Sequence, residues 1–270
     1  MNPMIEQTYL FIDGGHLRRY YSESVCDWFI GEGEINFNIL KNAFRALKCF
    51  YYDCLDDIKR DSESEADFHA RVAEQELYFN KIREVYGTHV RLGSLTGSAK
   101  NKRQKKVDIL LAVDMMNHAT RHNMNRAVLL SGDRDFEPVV ASLIEMGVIT
   151  EVAGDERHTS RDLASAADSY RKIGFNDYFA WSSEDLKSKY PRPDQWIGVS
   201  MFNVIQGGNL INEGKIGEFQ VRLYDSPNKF SAFFVHPESS QSFAYTLKDL
   251  ERLKLYLKVM HGEVKWQQSA

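Results

Sequence analysis

The chain has 270 residues, 43% of them hydrophobic and 27% charged, a balance that excludes a mainly disordered protein and allows one large domain or two modest ones. A formal net charge of −4 excludes a globally basic nucleic-acid-coating protein, so any polyanion site has to rest on a local patch.

"TYLFID" (8–13) reads as a buried strand, and "GHLRRYYSESVCDWF" after it spaces Leu17, Tyr20, Tyr21 and Trp28 as a helix does, which puts a strand-to-helix switch at Asp13. "FNILKNAFRALK" (37–48) is helical and "CFYYDCL" (49–55) strand-like. A long helix over 63–87 carries Phe68, Val72, Phe79, Ile82 and Tyr86 at helical intervals and closes on a glycine. "HVRLGSL" (89–95) is a third strand. The basic stretch "KNKRQKK" (100–106) leads into a helix over 107–120, a strand "RAVLLSG" (126–132), a helix to about Met146 and a strand "VITEVAG" (148–154). Strands alternating with helices imply right-handed crossovers and a parallel sheet covered on both faces.

After "AADSYRKIGFNDYFAW" the composition changes. "SSEDLKSKYPRPDQ" (182–195) is polar with two prolines, so the expected division is a first domain over 1–181, a linker over 182–195 and a small α+β domain over 196–270. In that last part Phe219, Val221 and Leu223 alternate with polar neighbours, and "FSAFFV" reads as a strand and "TLKDLERLKLYLKVM" as a helix. Its near-balanced charge assigns it no partner, and a protein partner and self-association both stay open.

Cys26, Cys49 and Cys54 lack CxxC spacing, which argues against a disulfide framework and against a zinc ribbon. The first residues lack the basic and apolar regions of a secretion signal, and no apolar run approaches the roughly 18 residues of a membrane helix. The expectation is a cytoplasmic protein with no membrane partner.

Functional groups of open parallel α/β sheets gather beyond the carboxyl ends of the strands. Asp13 ends the first strand, Asp133 follows a later one, and Asp108 opens a helix arriving from the third crossover. Carboxylates crowded there raise one another's pKa unless a divalent cation neutralises them, and hard oxygen ligands suit Mg2+ or Mn2+. Asp135 is read either as a ligand through water or as a helix cap. Asp114, six residues past Asp108 and on another helix face, is the weaker candidate, read as paired with a basic neighbour. The bland alternative for "LLSGDRDF" (129–136) is a polar turn capping the helix at Glu137 and Pro138.

"FIDGGHL", "RQKKVDILLAVDM", "LLSGDRDFEPVV" and "SRDLASAAD", in that order over about 8–175, resemble the NYN domain, in the LabA-like branch of the PIN-like nucleases. The resemblance implies a central parallel sheet flanked by helices, a divalent metal held by aspartates, and ribonuclease activity in many members. Carried over by position, it makes Asp13, Asp108, Asp133 and Asp135 the acidic ligands. The chain departs from the family at His16, where many members have asparagine, which replaces a neutral polar group by one that can titrate.

Five Lys or Arg fall within residues 100–106, directly before Asp108. That adjacency favours phosphate contact by Lys102, Arg103, Lys105 and Lys106 over a merely solvated charge run. Ser131 is expected either to donate to a phosphate or to cap the helix, and Arg134 either to contact the substrate backbone or to remain in solvent; His16 joins this substrate-binding set. His118, His122 and His158 lack metal spacing and read as ordinary histidines. Trp196, Phe233, Phe234 and Trp266 read as core. The leading expectation is a metal-dependent nuclease acting on RNA. Its alternatives are a catalytically silent nucleic-acid-binding or regulatory adaptor and, less favoured because Gly14 and Gly15 follow Asp13, a phosphatase of the haloacid dehalogenase type.

Overall fold

A computed structural model of the chain describes residues 6–96, 103–105, 107–198, 204–205, 207–239 and 241–267. Backbone proximity gathers them into two units, Met1–Glu23 with Ile35–Ser182, and Ser24–Glu34 with Ser183–Ala270.

The first unit runs in chain order β1 (Thr8–Asp13), α1 (Gly14–Val25, shared at its end with the second unit), α2 (Phe37–Ala43), β2 (Lys48–Cys54), α3 (Glu65–Glu84), β3 (Thr88–Thr96), β4 (Arg103–Lys105), α4 (Val107–Thr120) and β5 (Arg126–Leu130). It continues through a 3-10 turn at Arg134–Phe136, α5 (Glu137–Glu145), β6 (Ile149–Asp155), α6 (Arg161–Ala166), β7 (Ser169–Ile173) and α7 (Phe175–Trp181). The sheet order is β4-β3-β2-β1-β5-β6-β7; six strands are parallel, and β4 pairs antiparallel with β3 at the edge.

β1 lies at the centre because its apolar run has no polar face: Leu10, Phe11 and Ile12 are fully buried. On one face Phe11, Phe50 and Leu129 pack with Leu111 and Met115 of α4 and with Val140 and Leu143 of α5. On the other, Tyr51 meets Phe37 of α2 and Phe79 of α3. Crossovers from β1 to β2 and from β1's other neighbour β5 to β6 run to opposite sides, so the sheet reverses direction at β1 and β5, where a crevice is expected.

Several elements differ from the sequence reading. β7 lacks an apolar run because it is an edge strand in which only Ile173 is buried. Within the basic stretch, to which the sequence assigned no element, 103–105 forms the short β4. α2 stops at Ala43 rather than Lys48 because Arg45 adopts a left-handed φ of 51° and turns the chain into β2.

The second unit contains α8 (Glu184–Lys189), β8 (Asp194–Ile197), β9 (Asn209–Ile216), β10 (Phe219–Ser226), β11 (Lys229–Val235), β12 (Ser242–Leu247), α9 (Leu250–His261) and β13 (Lys265–Trp266). Its sheet is antiparallel, in the order β13-β9-β10-β11-β12-β8. α9 begins four residues later than its sequence pattern, because Thr246 and Leu247 complete β12 and Asp249 caps the helix by accepting from the Arg252 N–H. The stretch read as a linker holds α8 and the first two residues of β8, with Leu186 and Tyr190 buried. Ser24–Glu34 also belongs here: the Trp28 indole N–H donates to the Tyr190 carbonyl at 3.0 Å, and the Arg252 guanidinium lies 4.2 Å from the Trp28 ring centre.

Candidate active site

β1 and β5 are hydrogen-bonded neighbours running in the same direction, with Ile12 opposite Leu130, so both chains leave the sheet at the same rim. Asp13 ends β1, and Ser131-Gly132-Asp133 follows β5. The fully buried Ser131 hydroxyl donates to Asp13 Oδ2 at 3.0 Å and accepts from the Asp133 N–H at 3.2 Å. Asp13 Oδ1 accepts from the His16 N–H at 3.1 Å, which fixes the carboxylate at the start of α1. Asp13 and Asp133 thus meet through one serine. For Ser131, offered by the sequence as a phosphate donor or a helix cap, the hydroxyl links the Asp13 carboxylate to the Asp133 backbone.

The crowded aspartates divide their duties. Asp133 Oδ1 accepts from the Asp135 N–H at 3.0 Å and so caps the 3-10 turn, while Asp135 stands exposed. Asp108, in the first turn of α4, joins them electrostatically. Burial holds its carboxyl above the ordinary aspartate value, and the charges of Asp13, Asp133 and Asp135 push the same way. The folded chain therefore holds this proton more tightly than the unfolded chain does. The stability it contributes is present in acid and lost as pH rises from the ordinary aspartate range through the raised value. Among the described residues, no three Asp, Glu, His or Cys side chains form a ready set of metal ligands, so the four carboxylates share a field without closing around one point. Asp114 stands apart: it accepts from the Tyr52 hydroxyl at 2.9 Å and pairs with Arg91 at 3.4 Å.

His16 Nδ1 accepts from the Gly132 N–H at 3.1 Å, which leaves the ring proton of the neutral tautomer on Nε2. Nε2 is buried without a partner among the described residues. Burial is the main reason that His16 sits below the ordinary histidine pKa; His158 adds to it, and the pull of Asp13, Asp155 and Asp133 does not offset it. Gly132 has to be glycine, since a Cβ would lie 2.6 Å from the His158 carbonyl oxygen and 2.7 Å from His16 Cε1.

Two neighbours escaped the sequence reading. Asp155 ends β6, the strand beside β5, and its Oδ1 lies 2.9 Å from His158 Nδ1. The His158 ring stacks on Tyr20 at 4.3 Å, and Tyr20 meets His16 edge-on at 4.5 Å. A signal was available: "DGGH" (13–16) and "DERH" (155–158) place the same Asp-x-x-His spacing at the ends of two strands. The other two histidines weighed for metal spacing, His118 and His122, are ordinary. His118 packs against Tyr9 and Phe50, and His122 occupies the left-handed turn after α4.

Arg134 is 70% exposed and pairs with Asp162 at 2.9 Å, a contact that a phosphate could displace. β4 sets Arg103 opposite Thr96 and Lys105 opposite Ser94. Lys102 and Lys106 lie outside the described residues.

The family model for the NYN domain matches residues 8–174. Among functionally curated proteins none matches the chain significantly. Among solved structures, a Vibrio parahaemolyticus protein of unknown function is 18% identical with a TM-score of 0.48, covering 68% of this chain and 99% of its own. A dehydrogenase (MviM) from Clostridium difficile is 10% identical with a TM-score of 0.25, covering 98% of this chain and 83% of its own. Neither structural likeness carries functional weight. The family match spans more than half of the sequence, includes Asp13, Asp108, Asp133 and Asp135, and fits the parallel sheet that aligns them: the chain belongs to the NYN-domain family.

Proposed function

We propose that the chain is a divalent-metal-dependent ribonuclease of the LabA-like branch, hydrolysing phosphodiester bonds at the rim of Asp13, Asp108, Asp133 and Asp135. The observation that carries this reading is the gathering of the aspartates at one rim: burial and then the charges of Asp13, Asp133 and Asp135 raise Asp108, and a buried serine links the Asp13 carboxylate to the Asp133 backbone. A module that only bound RNA would gain nothing from concentrating negative charge where a polyanion must approach.

The donor set suits Mg2+ or Mn2+, both of which prefer carboxylate oxygen. Asp13 has each oxygen engaged by one hydrogen-bond donor, which leaves lone pairs free and orients the group. Asp13, Asp108 and Asp133, which by themselves do not close around one point, would draw together to hold the ion, with Asp135 beside them. When bound, the metal supplies charge neutralisation and a more acidic water. The chain's own part is to fix the acids: Ser131 ties Asp13 to the Asp133 backbone, and the His16 ring props the Gly132 N–H from the other side. The basic residues Lys102, Arg103, Lys105 and Lys106, immediately before Asp108, would take the flanking phosphates and draw RNA onto an acidic rim that would otherwise repel it.

The test is cleavage of end-labelled single-stranded RNA, hairpin RNA and DNA by the purified protein with Mn2+, with Mg2+ and with chelator. The expected result is RNA cleavage that needs the metal and stops in chelator. RNA binding without cleavage in either metal contradicts the proposal and assigns the silent adaptor instead.

A further inference from the structure

Hydrolysis of a phosphodiester leaves an alkoxide that needs a proton, and in the reading above the aspartates are given to the metal. Three other proton-bearing side chains crowd this rim. The Tyr20 hydroxyl belongs to a 7% exposed residue, and burial holds its pKa above the ordinary value. His16 uses Nδ1 as an acceptor, and its Nε2 is enclosed. His158 differs from both. Nδ1 faces Asp155 at 2.9 Å, Nε2 has no partner among the described residues, and the side chain is 32% exposed.

The surroundings keep the His158 imidazole in one orientation. Asp155 accepts from the Arg157 N–H at 3.0 Å as well as facing Nδ1. Burial pushes its carboxyl up, but hydrogen bonds from Arg157 and His158 outweigh this and hold it below the ordinary value, so it stays charged. The Tyr20 ring covers one face of the imidazole. The turn itself is pinned to the loop carrying Asp133, because the Ser160 N–H donates to the Gly132 carbonyl at 3.0 Å. The charged and titratable groups around His158 are Asp155 on β6, Arg157 on its own turn, and His16 and Tyr20 on α1, with Asp13 and Asp133 behind them. A part-exposed histidine whose Nδ1–H is held by a carboxylate and whose Nε2 has no partner among the described residues can, as the imidazolium, deliver a proton from Nε2.

We propose that His158 is the general acid of this site, protonating the oxygen that leaves, with Asp155 as its positioning residue; this rests on the nuclease reading above. The oxygen of water bonds to phosphorus as the bond from phosphorus to the bridging ester oxygen breaks. That oxygen keeps the bonding electrons and takes the Nε2 proton of the His158 imidazolium, which becomes the neutral imidazole with its remaining proton on Nδ1 toward Asp155. The spare proton of the attacking water goes to bulk solvent, from which His158 is recharged.

The test uses the full chain with Mn2+ and three RNA oligonucleotides of one sequence: all-oxygen, and with sulphur replacing either the bridging 3′ or the bridging 5′ oxygen at the cleaved linkage. A thiolate leaves without needing a proton. His158→Ala is expected to lower kcat on the all-oxygen RNA by about 10²-fold and to match wild type within a few-fold on the oligonucleotide whose sulphur departs, which also reports that the variant is folded. Added imidazole is expected to restore part of the all-oxygen rate. Equal losses on all three oligonucleotides, or no loss on the all-oxygen RNA, overturn the general-acid role while leaving the nuclease reading in place. Failure of the wild type to cleave any of them overturns both.

Discussion

Asp133→Asn is expected to lower Mn2+-dependent RNA cleavage by about 10³-fold while the melting temperature stays within about 2 °C. The substitution removes a charge and keeps a shape. An asparagine Oδ1 can still accept from the Asp135 N–H, so the cap on the 3-10 turn survives, and the residue is exposed, so no packing is lost. Asp108 is relieved of one neighbour that raises its pKa, which favours the fold slightly at neutral pH. Asp13→Asn is the less clean variant. Asp13 accepts on both oxygens, from Ser131 and from the His16 N–H, and an amide has only one oxygen to offer. Cleavage by Asp133→Asn within ten-fold of wild type removes Asp133 from the chemistry.

The second large effect concerns stability, where α1 meets β2. Asp53 ends the hydrophobic part of β2 and is fully buried. It is held by the Arg18 guanidinium, by the Tyr51 hydroxyl at 2.9 Å and by the Cys54 N–H at 2.8 Å. Arg18→Ala leaves that carboxylate charged, buried and unpaired, which costs about 3 kcal/mol, or roughly 6–12 °C in melting temperature for a unit of this size. The lower end of the usual range applies because the Arg18 side chain is 41% exposed, and water will reach part of the vacated space. Adding Asp53→Asn to Arg18→Ala is expected to recover part of the loss, since the amide carries no charge but its one oxygen accepts from either the Tyr51 hydroxyl or the Cys54 N–H and not from both. Thermal or urea unfolding of the two variants checks this; a loss below about 1 kcal/mol for Arg18→Ala would show that the guanidinium does not neutralise Asp53.

How far the sequence revealed this molecule depended on how local each signal was. β1, β2 and β5 are apolar runs buried on both faces, and such runs announce central parallel strands without help from elsewhere. β7 and β4 sit at sheet edges, where a strand needs few apolar side chains, and "SYRKI" and "RQK" carry little pattern. Asp13, Asp108 and Asp133 were legible because strand ends and a helix start fix their height along the sheet. The role of Ser131 was not, since it depends on a hydrogen bond across 118 positions of sequence. Asp155 and His158 were hidden for a related reason: reading histidines against one another for metal spacing overlooked a histidine paired with the aspartate three residues before it. Trp28 shows the same limit in packing. Its helical spacing continues α1, yet its ring is covered by Arg252, and nothing near either residue signals the other.

The central claim is that Asp13, Asp108 and Asp133 jointly hold a divalent cation, and calorimetric titration of Mn2+ into the wild-type protein tests it most directly. Saturable binding is expected, lost in Asp133→Asn and in Asp108→Asn and kept in Asp155→Asn, whose carboxylate serves His158 instead. Binding that survives the first two substitutions, or a wild type that takes up no Mn2+, would contradict the account.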